Sequence, residues 1–206
     1  MFYAFSENFI LPISHDEVVY GKRSLLNKLF GEYNQKFDLM RTFLMYMYAH
    51  PGKKLNFMGN EIGQFREWDE KREQDWSLLE YPAHQSFHKF MTDLNQLYMK
   101  HPALSEKDYE TEGFRWIDCH QEERCIYAFE RVSMGERIVA IFNFSNVEQK
   151  DYKFKVSGTT QLQRLIFSDQ AIYGGTEKRK KITLKSKNDE FTLTLPPYSA
   201  VYYLVK

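Results

Sequence analysis

Ser14-His15-Asp16-Glu17 places a hydroxyl, an imidazole and two carboxylates directly after a short apolar run, Phe9-Ile10-Leu11-Pro12-Ile13. Polar groups at the end of a buried parallel strand stand where α/β architectures carry their sites. A Ser-His-Asp relay is a poor reading of them. Its members must converge with the histidine between the other two, and neighbours on an extended segment point to alternating sides. Two readings remain for the tetrapeptide by itself: a site loop, or a polar turn that caps a helix. A further carboxylate, Glu61, lies in Gly59-Asn60-Glu61-Ile62-Gly63, again just beyond an apolar run.

The elements that must hold these groups divide the chain near its midpoint. Up to about Pro102 the pattern reads strand, helix, strand, helix. Phe9 to Ile13 predicts a buried strand, and Phe37 to His50 a helix enclosed on most sides, stopped by Pro51-Gly52. Leu55 to Met58 predicts a second strand. Phe87, Phe90, Met91, Leu94, Leu97 and Tyr98 form one helical stripe, closed by His101-Pro102. Beyond that point period-two alternation takes over. Tyr152, Phe154 and Val156 alternate with lysines, and Phe191, Leu193 and Leu195 with threonines. Residues 124–132 and 136–144 flank Ser133-Met134-Gly135 as a hairpin would, and residues 105–206 read as a β-sandwich. Two βα units leave a parallel pair with unpaired edges, and such sheets occur almost only inside larger layers. The first half therefore reads as incomplete, residues 105–206 as able to fold alone, and residues 1–102 as prone to aggregate.

Composition removes several classes of function. With 28 Lys plus Arg against 28 Asp plus Glu, the formal charge is zero, so nothing announces nucleic acid or an anionic membrane as partner. The basic run Lys178-Arg179-Lys180-Lys181 follows Gly174-Gly175 and reads as a solvated loop. The longest apolar run, Phe43 to Ala49, is far short of the roughly 20 residues a membrane helix needs. Met1 to Asn8 lacks the basic and small-residue features of a signal peptide. Cys119 and Cys125 match neither a zinc nor a disulfide framework, so a reduced, cytoplasmic protein is expected. Aromatic residues at 17% are the one outlier; most serve cores, and some suit surfaces on which sugar rings stack.

Longer stretches carry a resemblance. Glu7 to Val19, followed by Gly21-Lys22 and Ser24-Leu25-Leu26, is similar to the fourth conserved region of the α-amylase superfamily in the form found in glycogen branching enzymes. His50 to Leu55 and Phe57 to Gln64 resemble the strand-eight segment of the same enzymes. Arg66-Glu67-Trp68 and Asp75 to Leu79 continue the match, which runs in register over about residues 7–102 and more loosely to Leu195-Pro196-Pro197-Tyr198-Ser199-Ala200. Tyr20 and Asn60 depart from it, standing where His and a second Gly are common.

The resemblance implies that residues 1–104 are the C-terminal part of a (β/α)8 barrel, its seventh and eighth strands with their helices. An antiparallel β-sandwich at 105–206 follows. It implies retaining transfer of an α-1,4-glucan segment to a 6-hydroxyl, giving an α-1,6 branch in glycogen synthesis, with no metal or organic cofactor. Asp16 matches the carboxylate that holds ring hydroxyls of the reacting glucose and favours its distorted form. His15 matches the histidine that donates a hydrogen bond to the same sugar. A carboxylate suits vicinal hydroxyls because its two oxygens accept two O–H donors, and ionised acceptors bind more strongly. The family's nucleophile and general acid lie on strands outside this chain, so the missing part of the barrel is its implied partner and the chain alone should not turn over. Glu61 either lines the glucan pocket or satisfies loop N–H groups, and Trp68 and Trp76 either stack on glucose rings or pack. The alternatives are a non-catalytic glucan-binding module built on the sandwich, and a hydrolase or debranching relative sharing the fourth region.

Overall fold

The computed structural model describes residues 4–179, 181–187 and 190–206. Met1 to Tyr3, part of the N-terminal reading, and Lys180 of the basic run lie outside the described residues. Lys178 and Arg179 of that run are exposed, and Arg179 pairs with Glu177 at 2.5 Å.

Strands β1 (Ile10–Ile13) and β2 (Lys53–Asn56) form a parallel pair in register from Ile10↔Lys53 to Ile13↔Asn56. The second strand begins two residues before the expected Leu55. Apolarity picked out Leu55 to Met58, but the ladder is set by pairing with β1, and Gly52 at φ +110° turns the chain straight into it. Phe57 N–H still reaches Ile13 O at 2.9 Å, one step past the strand. The expected buried strand is instead largely uncovered: Phe9 is 39% exposed, Ile10 57%, Leu55 44% and Met58 51%. The cause is topological, since among the described residues neither strand has a second neighbour.

Helix α1 (Leu25–Lys28) is one turn capped by Ser24, whose Oγ accepts from Asn27 N–H at 3.3 Å. Helix α2 (Tyr33–Ala49) starts four residues before the apolar pattern does, because Glu32 and Gln35 form a reciprocal capping box. Helix α3 (Pro82–Lys100) opens on proline, which has no N–H to leave unpaired there, and buries Phe87, Phe90, Met91 and Leu94 as its stripe requires.

Beyond a short 3-10 turn at Pro102–Leu104 come β3 (Phe114–Gln121), β4 (Ile126–Ser133), β5 (Glu136–Asn143), β6 (Gln149–Phe154), β7 (Gln161–Phe167), β8 (Thr183–Lys185), β9 (Phe191–Leu195) and β10 (Ser199–Val205). Six strands pair antiparallel in the order β3-β4-β5-β10-β7-β8, and β6-β9 form a second sheet. Val139, Ile141, Val201 and Tyr203 of the large sheet face Tyr152, Phe154, Phe191 and Leu195 of the small one. This is the expected sandwich, with its alternating residues inward.

The opposite face of the large sheet is also buried. Phe129, Ile138, Ala140, Phe142, Ile166, Ala200 and Tyr202 share one core with Met40, Leu44, Met45 and Tyr48 of α2 and with Phe87, Phe90 and Leu94 of α3. Residues 105–206 by themselves would expose this aromatic face to water, which counts against their folding alone. Polar contacts cross the same boundary: Tyr202 Oη donates to Met45 O, and Thr42 Oγ1 to Tyr198 O at 2.6 Å. Fully buried Arg131 on β4 donates to Ala49 O at 2.7 Å, Gly113 O at 3.1 Å and Asp108 Oδ1 at 2.8 Å.

Lys54 lies close by, donating to His50 O at 2.6 Å and to Gly52 O, 5.4 Å from the Tyr98 ring centre. Burial, opposed by Asp108 and reinforced by Arg131 and Lys53, pushes its ammonium down to about 7. The unfolded chain keeps that proton up to the ordinary value near 10.5, so it holds more protons across this window and stability rises with pH through it. Urea titrations between about pH 7 and 9 should show a positive slope, up to about 1.4 kcal/mol per unit, that Lys54→Met flattens. An unchanged slope in the variant would assign the proton elsewhere.

Candidate functional site

The loop after β1 is a 3-10 turn, His15–Glu17, closed by its own side chains. Ser14 is extended and Glu17 reaches back to it: Ser14 N–H donates to Glu17 Oε2 at 2.5 Å and Ser14 Oγ to the same oxygen at 2.8 Å. Asp16 N–H donates to Ser14 Oγ at 3.2 Å. The tetrapeptide is thus a capping box whose middle residues are left to face solvent. The Ser14 hydroxyl, against burial, holds the Glu17 carboxyl below the usual range. Glu17 is committed to closing the turn.

His15 and Asp16 are not. Their side chains are 54% and 68% exposed, with His15 Nε2 3.5 Å from Asp16 Oδ1. The His15 ring is steadied by aromatic edges, Trp68 at 6.0 Å and 70° and Phe57 at 6.1 Å and 54°. Those two meet each other at 5.3 Å and 87°. Trp68 is fixed by its N–H to Val18 O at 2.8 Å, and Val19 bridges to it in parallel. A 3-10 turn after β2 carries Glu61 between two left-handed glycines, Gly59 at φ +90° and Gly63 at φ +65°. Buried Asn60 donates from Nδ2 to Asn56 Oδ1 at 3.1 Å, so the residue that departs from the family pattern ties this turn to β2. Glu61 is half-buried and accepts no hydrogen bond among the described residues.

Trp76 stands apart. It is 49% exposed on the 3-10 turn Trp76–Glu80, placed by the Arg66–Asp75 ion pair at 3.0 Å, and makes no ring contact among the described residues. The structure therefore groups His15 with Trp68 and Phe57, with Asp16 beside them, and does not bring Trp76 into that cluster. Phe57 and Glu67 were not expected as parts of the site. Glu67 accepts from Gly21 N–H at 3.0 Å and Arg23 N–H at 2.6 Å, where Gly21 and Arg23 have φ of +82° and +64°. One carboxylate thus holds a loop with two left-handed residues against the loop after β2. Glu67→Ala should raise hydrogen exchange at the Gly21 and Arg23 amides by at least about tenfold while leaving α2 protected. Unchanged exchange would mean the loop is held by other contacts. Beside it, Val19, Tyr20, Arg66, Glu67, Trp68 and Arg72 line a shallow cavity of about 450 Å³, with Tyr20 93% exposed at its rim.

Residues 116–206 match the family of α-amylase C-terminal all-β domains. The chain is 43% identical to the 1,4-α-glucan branching enzyme GlgB of Aquifex aeolicus over 98% of its own length, and 44% identical to that of Bacillus subtilis over 96%. The chain is similar over nearly its whole length to 1,4-α-glucan branching enzymes. It spans about a third of those relatives, 34% and 33% of their lengths, and matches the C-terminal part of a branching enzyme. Among solved structures it resembles an α-amylase from Anoxybacillus (TM-score 0.59, 18% identity, covering 95% of this chain and 37% of that one). It also resembles AmyP E221Q in complex with maltotriose (TM-score 0.65, 15% identity, covering 96% and 40%). At these identities the two likenesses speak for the fold. Among the described residues no helix is long and apolar enough to cross a membrane.

Proposed function

We propose that this chain is the C-terminal part of an enzyme that moves an α-1,4-glucan segment onto a 6-hydroxyl, creating an α-1,6 branch in glycogen by a retaining route. In this reading β1 and β2 are the last two strands of a (β/α)8 barrel, residues 1–104 close that barrel, and residues 105–206 are the sandwich appended to it. One carboxylate outside this chain attacks the anomeric carbon while a second protonates the departing 4-oxygen. The acceptor's 6-hydroxyl then displaces the enzyme carboxylate and returns a proton to the acid. Asp16 accepts hydroxyls of the distorted glucose, and His15, its ring held by Trp68 and Phe57, donates to the same sugar. Glu61 lines the wall beside them, Trp68 acts by positioning His15, and Trp76 offers an outlying ring to the glucan. A reduced, cytoplasmic setting completes the proposal.

The observation that carries this reading is the capped turn at the end of β1, which fixes the backbone of His15 and Asp16 while leaving both side chains open to a ligand. The uncovered apolar residues of β1 and β2 support it, since they are what neighbouring barrel strands would bury. A glucan-binding module built on the sandwich is supported less well. Tyr152, Phe154 and Phe191 are 2%, 5% and 0% exposed and offer no stacking surface. To test the reading against a hydrolase, amylose is incubated with a chimera that joins the N-terminal two-thirds of the Bacillus subtilis relative to this chain. New α-1,6 linkages are expected without a matching rise in reducing ends; reducing ends without branches would reject it.

A further inference from the structure

Strand β7 carries a charged residue at a position where the inside of a sandwich calls for an apolar one. Leu162 and Phe167 both point between the two sheets. Against β10 the register shifts from Tyr202↔Ile166 to Tyr203↔Arg164, which skips Leu165 and turns Arg164 to that same inner side, opposite Tyr203. Bulges re-aim side chains in this way and recur beside binding sites. The Arg164 side chain is 3% exposed.

Arg164 and Tyr203 face a cavity of about 250 Å³ between the sheets, beside the edge strand β8. Phe167, Ile182, Leu184, Leu193 and Val201 supply its apolar wall. The buried polar groups on it are only part-paired. Arg164 Nη2 donates to Arg179 O, but Nη1 lies 3.9 Å from Glu177 Oε2, beyond hydrogen-bond reach, and Nε donates to nothing among the described residues. The guanidinium sits 5.5 Å from the Phe167 ring centre, which holds the fork in place. Tyr203 is 4% exposed, and its hydroxyl has no hydrogen-bond partner among the described residues. Burial, opposed by Arg164 and Arg179, pushes that hydroxyl up to about 12, so it remains an O–H donor at neutral pH. Donors buried in this condition are costly unless something completes them.

The charge around the cavity selects what could do so. Hydrogen bonds from Arg179, ahead of the charges of Arg179 and Arg164, hold the Glu177 carboxyl down to about 2 and therefore ionised. Two guanidiniums against one carboxylate leave a single surplus positive charge, which suits a monoanion better than a phosphate dianion. The aliphatic wall offers no open ring face for a sugar, since Phe167 lies under Arg164 and is itself buried. An apolar cavity with a few convergent polar groups is the general form of a small-molecule site.

We propose that this cavity binds a short aliphatic monocarboxylate, its two oxygens taking hydrogen bonds from Arg164 and Tyr203 and its chain lying against Leu184 and Leu193. A planar fork matches a carboxylate, and a charged acceptor makes each of these bonds strong. The site lies on the face of the large sheet turned away from α2 and α3 and shares no lining residue with the His15–Asp16 turn. It stands independently of the branching reading.

The test titrates hexanoate into the whole 206-residue chain while methyl NMR follows Leu184 and Leu193, with hexanol and inorganic phosphate as comparison probes. Saturable shifts at those methyls are expected with hexanoate, and at least about tenfold weaker binding of either comparison probe. Tyr203→Phe should weaken hexanoate about tenfold, the loss that one hydrogen bond to a charged group brings, while leaving the melting temperature of the free chain unchanged, because the hydroxyl has no protein partner to lose. Arg164→Gln should weaken it at least as much. Methyls that do not shift overturn the proposal, as does hexanol or phosphate binding as tightly as hexanoate. Tyr203→Phe that binds hexanoate like the wild type overturns it whether or not the Arg164 variant folds.

Discussion

In the chimera with the Bacillus subtilis relative, Asp16→Asn should lower kcat by at least about a thousandfold while the apparent KM for amylose moves less than about threefold. A thousandfold is about 4 kcal/mol of transition-state stabilisation. The size follows from the position of Asp16. Its backbone is fixed by the Ser14–Glu17 capping box, so only its side-chain torsions remain to be ordered. As the glucose flattens and positive charge develops at the anomeric carbon, an ionised acceptor on the ring hydroxyls gains strength that a neutral amide lacks. An interaction that grows only in the transition state appears in kcat and hardly in ground-state binding. Steady-state branching rates measured over a range of amylose concentrations check this. A raised KM with kcat intact would make Asp16 an ordinary binding residue.

Arg131→Met should destabilise the chain by roughly 3 to 5 kcal/mol, the range for removing one partner of a buried ion pair. Three acceptors converge on the guanidinium, and each comes from a different part of the chain: Ala49 O from the end of α2, Gly113 O from the turn before β3, and Asp108 from the segment between α3 and the sheet. Truncation leaves the carbonyls without that donor and leaves buried Asp108 with Lys53 at 3.2 Å and the Tyr98 hydroxyl, but without its guanidinium. For a chain of this length the loss corresponds to a melting temperature roughly 6 to 20 °C lower. Adding Asp108→Asn to Arg131→Met should recover part of it, because the stranded charge is then gone. Calorimetry of the wild type, the single variant and the double variant decides. Single and double variants that melt together would mean Asp108 carries no penalty when left alone.

Periodicity made the second half of the chain legible, and it also found the stripe of α3. Tyr152, Phe154, Phe191 and Leu195 alternate with polar residues because one side of each strand meets water, and the structure buries those four as expected. The same rule hid the helical layer. Ile138-Val139-Ala140-Ile141-Phe142 is a continuous apolar run in an antiparallel strand, the signature of cover on both faces, and the second cover is α2 with α3. The strand at Phe9 to Ile13 misled in the opposite direction. Apolar residues reveal that a strand seeks cover and say nothing about which segment supplies it, and Ile10 is 57% exposed here.

In the candidate site, local order made the turn around His15 and Asp16 legible, since it is closed by neighbours three positions apart. Glu67 could not be read that way. Its partners, Gly21 and Arg23, are 46 and 44 positions away, and one charged residue in a charged loop carries no local sign of such a pairing. Phe57 was read as a strand residue, and its contact with His15 arises only because β1 and β2 end side by side. Trp68 and Trp76 looked alike in sequence. A parallel bridge to Val19 draws the first beside His15, and the Arg66–Asp75 pair places the second elsewhere.

The most direct test of the account is the anomeric proton spectrum of amylose after incubation with three samples: this chain alone, the Bacillus subtilis chimera, and the chimera carrying Asp16→Asn. The account expects α-1,6 signals from the unaltered chimera and none above background from the chain alone or from the Asp16→Asn chimera. Branching by the isolated chain, or by the chimera irrespective of Asp16, would contradict it.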